Sequence, residues 1–310
     1  AGRTVGFHGA EEGMRPRTML ISLLVLAAAV SYYLYFEVYK ARQDKQRKDR
    51  AEQVFTLAGQ DLERLTVKGK ERIELFRQDQ GWRIVSPISA RADGRALDEL
   101  IGTLAALRIQ RELTDFSDPS VFAAPLTIEF RAKSKDYSLT VGALTPTKEF
   151  RYARSSNRSG VFLITEADTL GLDKDLLALR DKRLFTLPVE TVEKLSFSGP
   201  FLDLTLVRDA DAGWLCPGKD VKLSASKVES LLHQIWWQEA RLFADGMSIG
   251  TRPVLDIALT GKQGTQSLRI WRVGKALFAR SSRHPQIVEI DRMFLEGLPR
   301  DVGMLTERGG

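Results

Sequence analysis

The side chains best placed to do chemistry occur twice. Tyr152-Ala-Arg-Ser-Ser156 and Phe278-Ala-Arg-Ser-Ser282 each set an arginine beside two serines. A guanidinium offers a planar fork of donors and a serine hydroxyl a short, rotatable one, a combination that binds phosphate or carboxylate. Arg154, Ser155, Ser156, Arg280, Ser281 and Ser282 are therefore the candidate ligand contacts. The plainer reading is that they are exposed strand ends running into hairpin turns, duplicated because the surrounding domain is duplicated. His233 stands beside Trp236 and Trp237, but base or ligand chemistry needs a second histidine or a carboxylate close by. The other histidines, His8 and His284, fall in a tail and a turn. His233 reads as structural, and the tryptophans as packing between domains rather than a sugar-stacking platform. Asp173, Asp175 and Asp181 interleave with Lys174, Arg180, Lys182 and Arg183. Charge neutralisation on a helix surface accounts for them better than calcium, which wants a glycine-centred, oxygen-rich loop. The phosphate-cradling G-x-x-x-x-G-K-[ST], the nucleophile elbow G-x-S-x-G and the zinc motif H-E-x-x-H are all absent. Cys216 is the single cysteine, so no intrachain disulfide or multi-cysteine metal site forms. The expectation is a chain with no catalytic residue, no metal and no cofactor.

The elements that must position these residues also come in pairs. Asp61-Leu-Glu-Arg-Leu-Thr-Val67 returns as Thr191-Val-Glu-Lys-Leu-Ser-Phe197, and Gly81-Trp82 as Gly213-Trp214. Leu97, Leu100, Ile101 and Leu104 return as Val228, Leu231, Leu232 and Ile235, the i, i+3, i+4, i+7 spacing of a helix with one apolar face. Ser138-Leu139 returns as Ser267-Leu268. A period of about 130 residues is domain-sized, far above the repeat length of solenoids. Alternating apolar residues at Leu65 and Val67, then Ile73 and Leu75, predict half-buried strands, and further strands follow at 126–130, 137–141, 150–154 and 161–164. A short helix is expected over 166–179 and the second long helix over 226–241, with the second copy's strand after Gly199 at 202–206. Residues 306–310 read as a disordered tail. The fold class is α+β: two tandem repeats, 54–186 and 187–306, each a mostly antiparallel sheet with a packed helix.

Before them, Met19 to Phe36 carries no charge and is long enough to cross about 30 Å of hydrocarbon. Leu20, Leu23, Leu24, Leu26 and Ala28 are its apolar body, and Tyr32, Tyr33, Tyr35 and Phe36 its interfacial end. Residues 18–39 are read as an uncleaved transmembrane anchor in contact with membrane lipid, 1–17 as a cytoplasmic tail whose natural start is Met14, and 40–53 as a charged stalk. Lys40, Arg42, Lys45, Arg47, Lys48 and Arg50 outnumber Arg3, Arg15 and Arg17, which by the positive-inside rule places the large region in the cytoplasm. That rule weakens where a long domain follows the anchor. The net charge of +6 is spread along the chain and is not the concentrated stripe of a nucleic-acid binder.

Gly81-Trp82-Arg-Ile-Val-Ser-Pro87, Ala90-Arg-Ala-Asp93, Val141-Gly142, Thr145-Pro146-Thr147, Tyr152-Ala-Arg154, Val161-Phe-Leu163, Leu172-Asp-Lys-Asp-Leu176 and above all Leu179-Arg-Asp-Lys-Arg-Leu184 form a recognisable set. It resembles a bacterial family of domains of unknown function, closely over Val54 to Phe185 and loosely in the second copy. The resemblance implies a single-pass protein of the bacterial inner membrane, its large region periplasmic, encoded beside ABC transporters of the gliding-motility type. It implies no catalytic residues. The expected function is a non-enzymatic, membrane-anchored accessory or scaffold subunit of an ABC-type transport or other envelope complex, its partners permease or auxiliary chains. The alternative is an extracytoplasmic protein that captures a glycan or lipid in the groove between the two repeats, with Arg154 or Arg280 pointing into it.

Overall fold

In the computed structural model of the protein, residues 16–57, 59–79, 81–211, 213–250 and 252–307 are described. Residues 1–15 of the expected tail, with Met14 and Arg15, and the last three residues lie outside them, whereas Pro16 and Arg17 open a helix. Helix α1, Pro16–Glu52, runs unbroken for 37 residues, about 55 Å at 1.5 Å per residue. Its segment Met19–Lys45 is long and apolar enough to cross a membrane, and none of it is buried against the rest of the chain. The anchor residues from Leu20 to Phe36 are all exposed on it, as single-pass membrane anchoring requires.

The first copy follows as β1 (Leu62–Lys68), β2 (Arg72–Gln78), β3 (Gly81–Ser86), β4 (Ala90–Arg91), α2 (Gly94–Ala106), β5 (Arg111–Leu113), β6 (Leu126–Ala132), β7 (Lys135–Leu144), β8 (Phe150–Ser155) and β9 (Val161–Thr165). Two single-turn helices, α3 (Glu166–Thr169) and α4 (Leu176–Leu179), close it. The second copy is β10 (Val192–Ser198), β11 (Leu204–Asp209), β12 (Gly213–Leu215), α5 (Ala225–Trp236), β13 (Leu242–Ala244), β14 (Leu255–Gly261), β15 (Gly264–Val273), β16 (Ala276–Ser281) and β17 (Ile287–Ile290). Among the described residues the strand orders are β4-β3-β2-β1-β6-β7-β8-β9-β5 and β12-β11-β10-β14-β15-β16-β17-β13. Apart from β4, the two orders are the same sequence of equivalents. The fold is α+β, two copies of one antiparallel design.

The repeated residues hold equivalent places. Gly81 (φ +111°) and Gly213 (φ +76°) sit at the turns of the β2–β3 and β11–β12 hairpins, in backbone conformations that side chains with a Cβ avoid. Trp82 and Trp214 then pair with Arg77 and Arg208 across each hairpin. All eight apolar residues of the two helix faces are buried. Asp93 caps α2 by accepting the N–H groups of Arg95 (2.9 Å) and Ala96 (3.1 Å).

Several expectations need correction. The helix expected over 166–179 is two separate turns, each capped by its own side chain: Thr165 accepts the Asp168 N–H and Asp175 the Ala178 N–H. Helix α5 stops at Trp236 because the next residues turn to strand pairing, Glu239 bridging to Arg183 and Ala240 N–H bonding Lys182 O at 2.8 Å. The strand expected over 202–206 begins at Leu204. Thr306 is ordered, bridged to Leu223.

The chain packs as two compact units: residues up to Asp61 with Ile101–Thr127 and Ala132–Leu172, and Leu62–Leu100 with Ile128–Arg131 and Asp173 onward. The second unit therefore holds β1–β4, the start of α2 and the whole second copy.

Candidate functional site

The twin Ala-Arg-Ser-Ser segments end β8 and β16, and the turns that follow them do the same work twice. In the first unit, Asn157 and Arg158 grip the end of α1 and the residues after it. Arg158 Nη2 donates to the carbonyls of Ala51 (2.7 Å) and Gln53 (2.8 Å), and Asn157 Nδ2 donates to Val54 O at 2.8 Å. These are carbonyls that a helix end leaves without intrahelical partners, and a cation belongs there. Ile109 N–H bonds Glu52 O at 2.7 Å, and Gln53 bridges to Arg108.

The second unit repeats the grip on the linker. His284 Nε2 donates to Arg183 O at 2.9 Å and Ser281 Oγ to Leu184 O at 2.6 Å. Because a carbonyl only accepts, the His284 proton sits on Nε2. Gln53 and Arg183 are 130 residues apart, and their partners Arg108 and Glu239 are 131 apart. The stalk end and the linker are thus equivalent parts, and both carry the repeat Val54-Phe55-Thr56-Leu57 and Leu184-Phe185-Thr186-Leu187. Phe55 and Phe185 are both fully buried. This repeated tetrapeptide was the signal in the sequence that could have revealed the clamps.

The linker grip uses side-chain charge as well. Arg180 and Asp181, read from sequence as surface charges, are 2% and 1% exposed. The correction has a structural cause: their extended segment is bonded on both sides. Asp93 N–H donates to Leu179 O (2.8 Å) and Asp181 N–H to Arg91 O (3.0 Å) on one side, with Ala240 N–H to Lys182 O on the other. Arg180 forks onto Asp245 at 2.9 and 3.2 Å and lies 3.4 Å over the Phe243 ring. Asp181 accepts from Arg183 Nε (2.9 Å) and Nη2 (3.1 Å), from the Arg183 N–H (3.2 Å) and from Arg283 Nη2 (2.8 Å). Burial works against its charge, but the Arg183 hydrogen bonds and the charges of Arg183 and Arg283 outweigh it, and its pKa is lowered.

Beside this junction, within the second unit, lies a groove of about 260 Å³. Arg83 and Arg91 of β3 and β4 line it together with Arg183, Arg283 and Asp181, and Trp82 and Gln78 belong to its wall. An adjoining cavity of about 200 Å³ shares Gly94 and Arg183 and is lined by Trp236, Trp237, Asp93 and Glu239. The tryptophans pack edge to face on each other, 5.0 Å between ring centroids. His233 is exposed on α5.

The six sequence candidates are placed otherwise. Ser156 Oγ accepts the Ser138 N–H (2.9 Å) and Ser282 Oγ the Ser267 N–H (3.0 Å), so both hydroxyls close their hairpins. Ser155 Oγ is buried without a partner, whereas its equivalent Ser281 Oγ bonds the linker. Arg154 lies over the Phe122 ring. Arg280, Ser281 and Ser282 line a separate cavity of about 470 Å³ on the second sheet with Ser196, Ser198 and Asp256. Among the described residues no group of three or more His, Cys, Asp or Glu could hold a metal ion.

The pattern of a family described as Domain of unknown function (DUF4340) matches residues 82–252, more than half of the chain. The chain belongs to that family. The matched region of this DUF4340 protein starts at Trp82 in the groove wall, contains the linker with Glu239 and Asp245, and ends before Ser281, Arg283 and His284. No curated protein matches the chain, and no solved structure does.

Proposed function

We propose that this protein is a non-enzymatic accessory subunit, anchored in the bacterial inner membrane, that belongs to an ABC-type transport complex or another envelope machine. Its large region stands on the periplasmic side. The observation that carries the reading is the clamp on α1. A simple tether would leave the membrane helix free to swivel beneath its domain. Here the helix continues without a break from Pro16 to Glu52, its final carbonyls are held by Arg158 and Ile109, and Asn157 holds the carbonyl of Val54 just beyond it. A shift or rotation of the helix is thereby passed to the domain, which suits a subunit that couples membrane partners to an external domain.

Purification of the full chain in mild detergent tests this. Other membrane chains and a nucleotide-binding protein should accompany it, and recovery of the protein alone would overturn the proposal. Sidedness is tested by thiol labelling of Ser159→Cys in intact cells, where the only native thiol, Cys216, is buried. Labelling only after lysis would put the large region in the cytoplasm.

A further inference from the structure

We infer that the arginine groove of the second unit binds a phosphate group. The inference stands independently of the accessory-subunit reading. Four guanidinium groups line the groove, Arg83, Arg91, Arg183 and Arg283, against one carboxylate, Asp181. Both oxygens of that carboxylate are already occupied by Arg183 and Arg283. Three positive charges are left over. Arg91 makes no side-chain hydrogen bond or ion pair among the described residues, and Arg83 bonds only the neutral Ser89 Oγ at 2.9 Å. The crowding registers on Arg283: burial first, then the charges of Arg183 and Arg91, lower its pKa although Asp181 opposes the shift. Its Nε is buried and has no partner.

Two further acids, Asp93 and Glu239, act on Arg183, and both line the adjoining tryptophan cavity and not this groove. The excess charge is therefore carried by Arg83, Arg91 and Arg283. Gly94, the first residue of α2, also lines the groove, its helix end already capped by Asp93. Such a surplus favours a dianion over a singly charged carboxylate, and the guanidinium fork matches phosphate geometry. At about 260 Å³ the groove is smaller than the sites that enclose drug-sized ligands and suits a small oxyanion or one head group.

The phosphate could be that of a soluble compound or of a phospholipid head group, and the test separates these sources. The full chain is reconstituted in phosphatidylcholine nanodiscs and titrated calorimetrically with inorganic phosphate and with acetate. Phosphate should bind on the order of tenfold more tightly than acetate, and Arg83→Gln/Arg91→Gln should weaken it by about tenfold or more. Arg83→Lys/Arg91→Lys, which keeps the charge without the fork, should recover part of the loss. Neither side chain holds the junction, so the thermal transition of these variants should match that of the unmodified chain. Equal binding of phosphate and acetate, or unaltered phosphate binding by the glutamine pair, overturns the inference. If phosphatidylglycerol in the disc competes with phosphate, the source is a lipid head group; if it does not, the source is soluble. Either result leaves the phosphate site in place.

Discussion

Replacing Asp181 by Asn tests whether the linker junction holds the second unit together. The side chain is 1% exposed and receives four hydrogen bonds, three from Arg183 and one from Arg283. The amide keeps one acceptor but turns an NH2 group toward guanidinium donors. It also leaves Arg283, whose side chain is only 13% exposed, without its counter-ion. Breaking a buried pair from one side costs about 3–5 kcal/mol. At about 2–4 °C per kcal/mol for a unit of this size, the midpoint of thermal unfolding should fall by about 6–20 °C. The pH dependence has a definite sign. The folded pKa of Asp181 is lowered below that of the unfolded chain, near 3.9, so its contribution is complete above that value. It disappears as pH falls through the folded pKa, and the two melting curves should converge in strong acid. Circular dichroism on the detergent-solubilised chain follows both effects. Arg283→Gln in a double-mutant cycle should make the combined loss smaller than the sum. A midpoint for Asp181→Asn within about 2 °C of the unmodified chain, with additive energies in the cycle, would refute the argument.

Gly142→Ala should destabilise by about 1–3 kcal/mol, because its Cβ would lie 2.5 Å from Val121 O and 2.9 Å from the Phe122 ring; Gly102→Ala, with open space around it, is the control for the same thermal melt. Arg158→Ala should remove about 1.5–3 kcal/mol of local hold, read as faster hydrogen exchange at the end of α1, and unchanged protection there would dismiss the clamp. His284→Gln keeps an Nε2 donor but not the titration. Burial lowers the His284 pKa, outweighing the bond to Arg183 O, which raises it, so the unmodified chain should lose stability as pH falls from about 6.5 through the folded value. The glutamine variant should lack that slope in urea titrations at pH 7 and pH 5.

The architecture was legible in the sequence because apolar spacing and turn glycines report local geometry directly. Leu97, Leu100, Ile101 and Leu104 could have been buried together only by a helix, and Gly81 and Gly213 precede their tryptophans because each turn needs positive φ. The junction was not legible. Leu179-Arg-Asp-Lys-Arg-Leu184 has the composition of a solvated surface, and nothing local tells that Arg180 will stack on Phe243 and pair with Asp245, some 65 positions away. The edge strands β5 and β13, three residues each, were missed for the same reason: their partners β9 and β17 are distant in sequence. The groove combines both problems, since its arginines come from β3, β4, the linker and the turn after β16.

The two clamps differ in how much they ask of the sequence. At the stalk, Arg158 and Asn157 contact backbone carbonyls of Ala51, Gln53 and Val54, and such a grip accepts almost any side chain. The ion pair of Glu52 with Arg108 at 3.7 Å is exposed on both sides and contributes at most about 1 kcal/mol, and Arg158 also pairs with the exposed Glu112 at 3.4 Å. At the linker the equivalent backbone bonds are joined by Asp181, Arg180 and Arg283, whose geometry and burial permit few replacements. A backbone grip asks little of the sequence it holds, whereas a buried charge network asks for specific residues. The residues matched to the family take in the gripping side chains of the stalk clamp, Asn157 and Arg158, and the linker with its partners Glu239 and Asp245, so the match spans parts of both attachments, which follow one design.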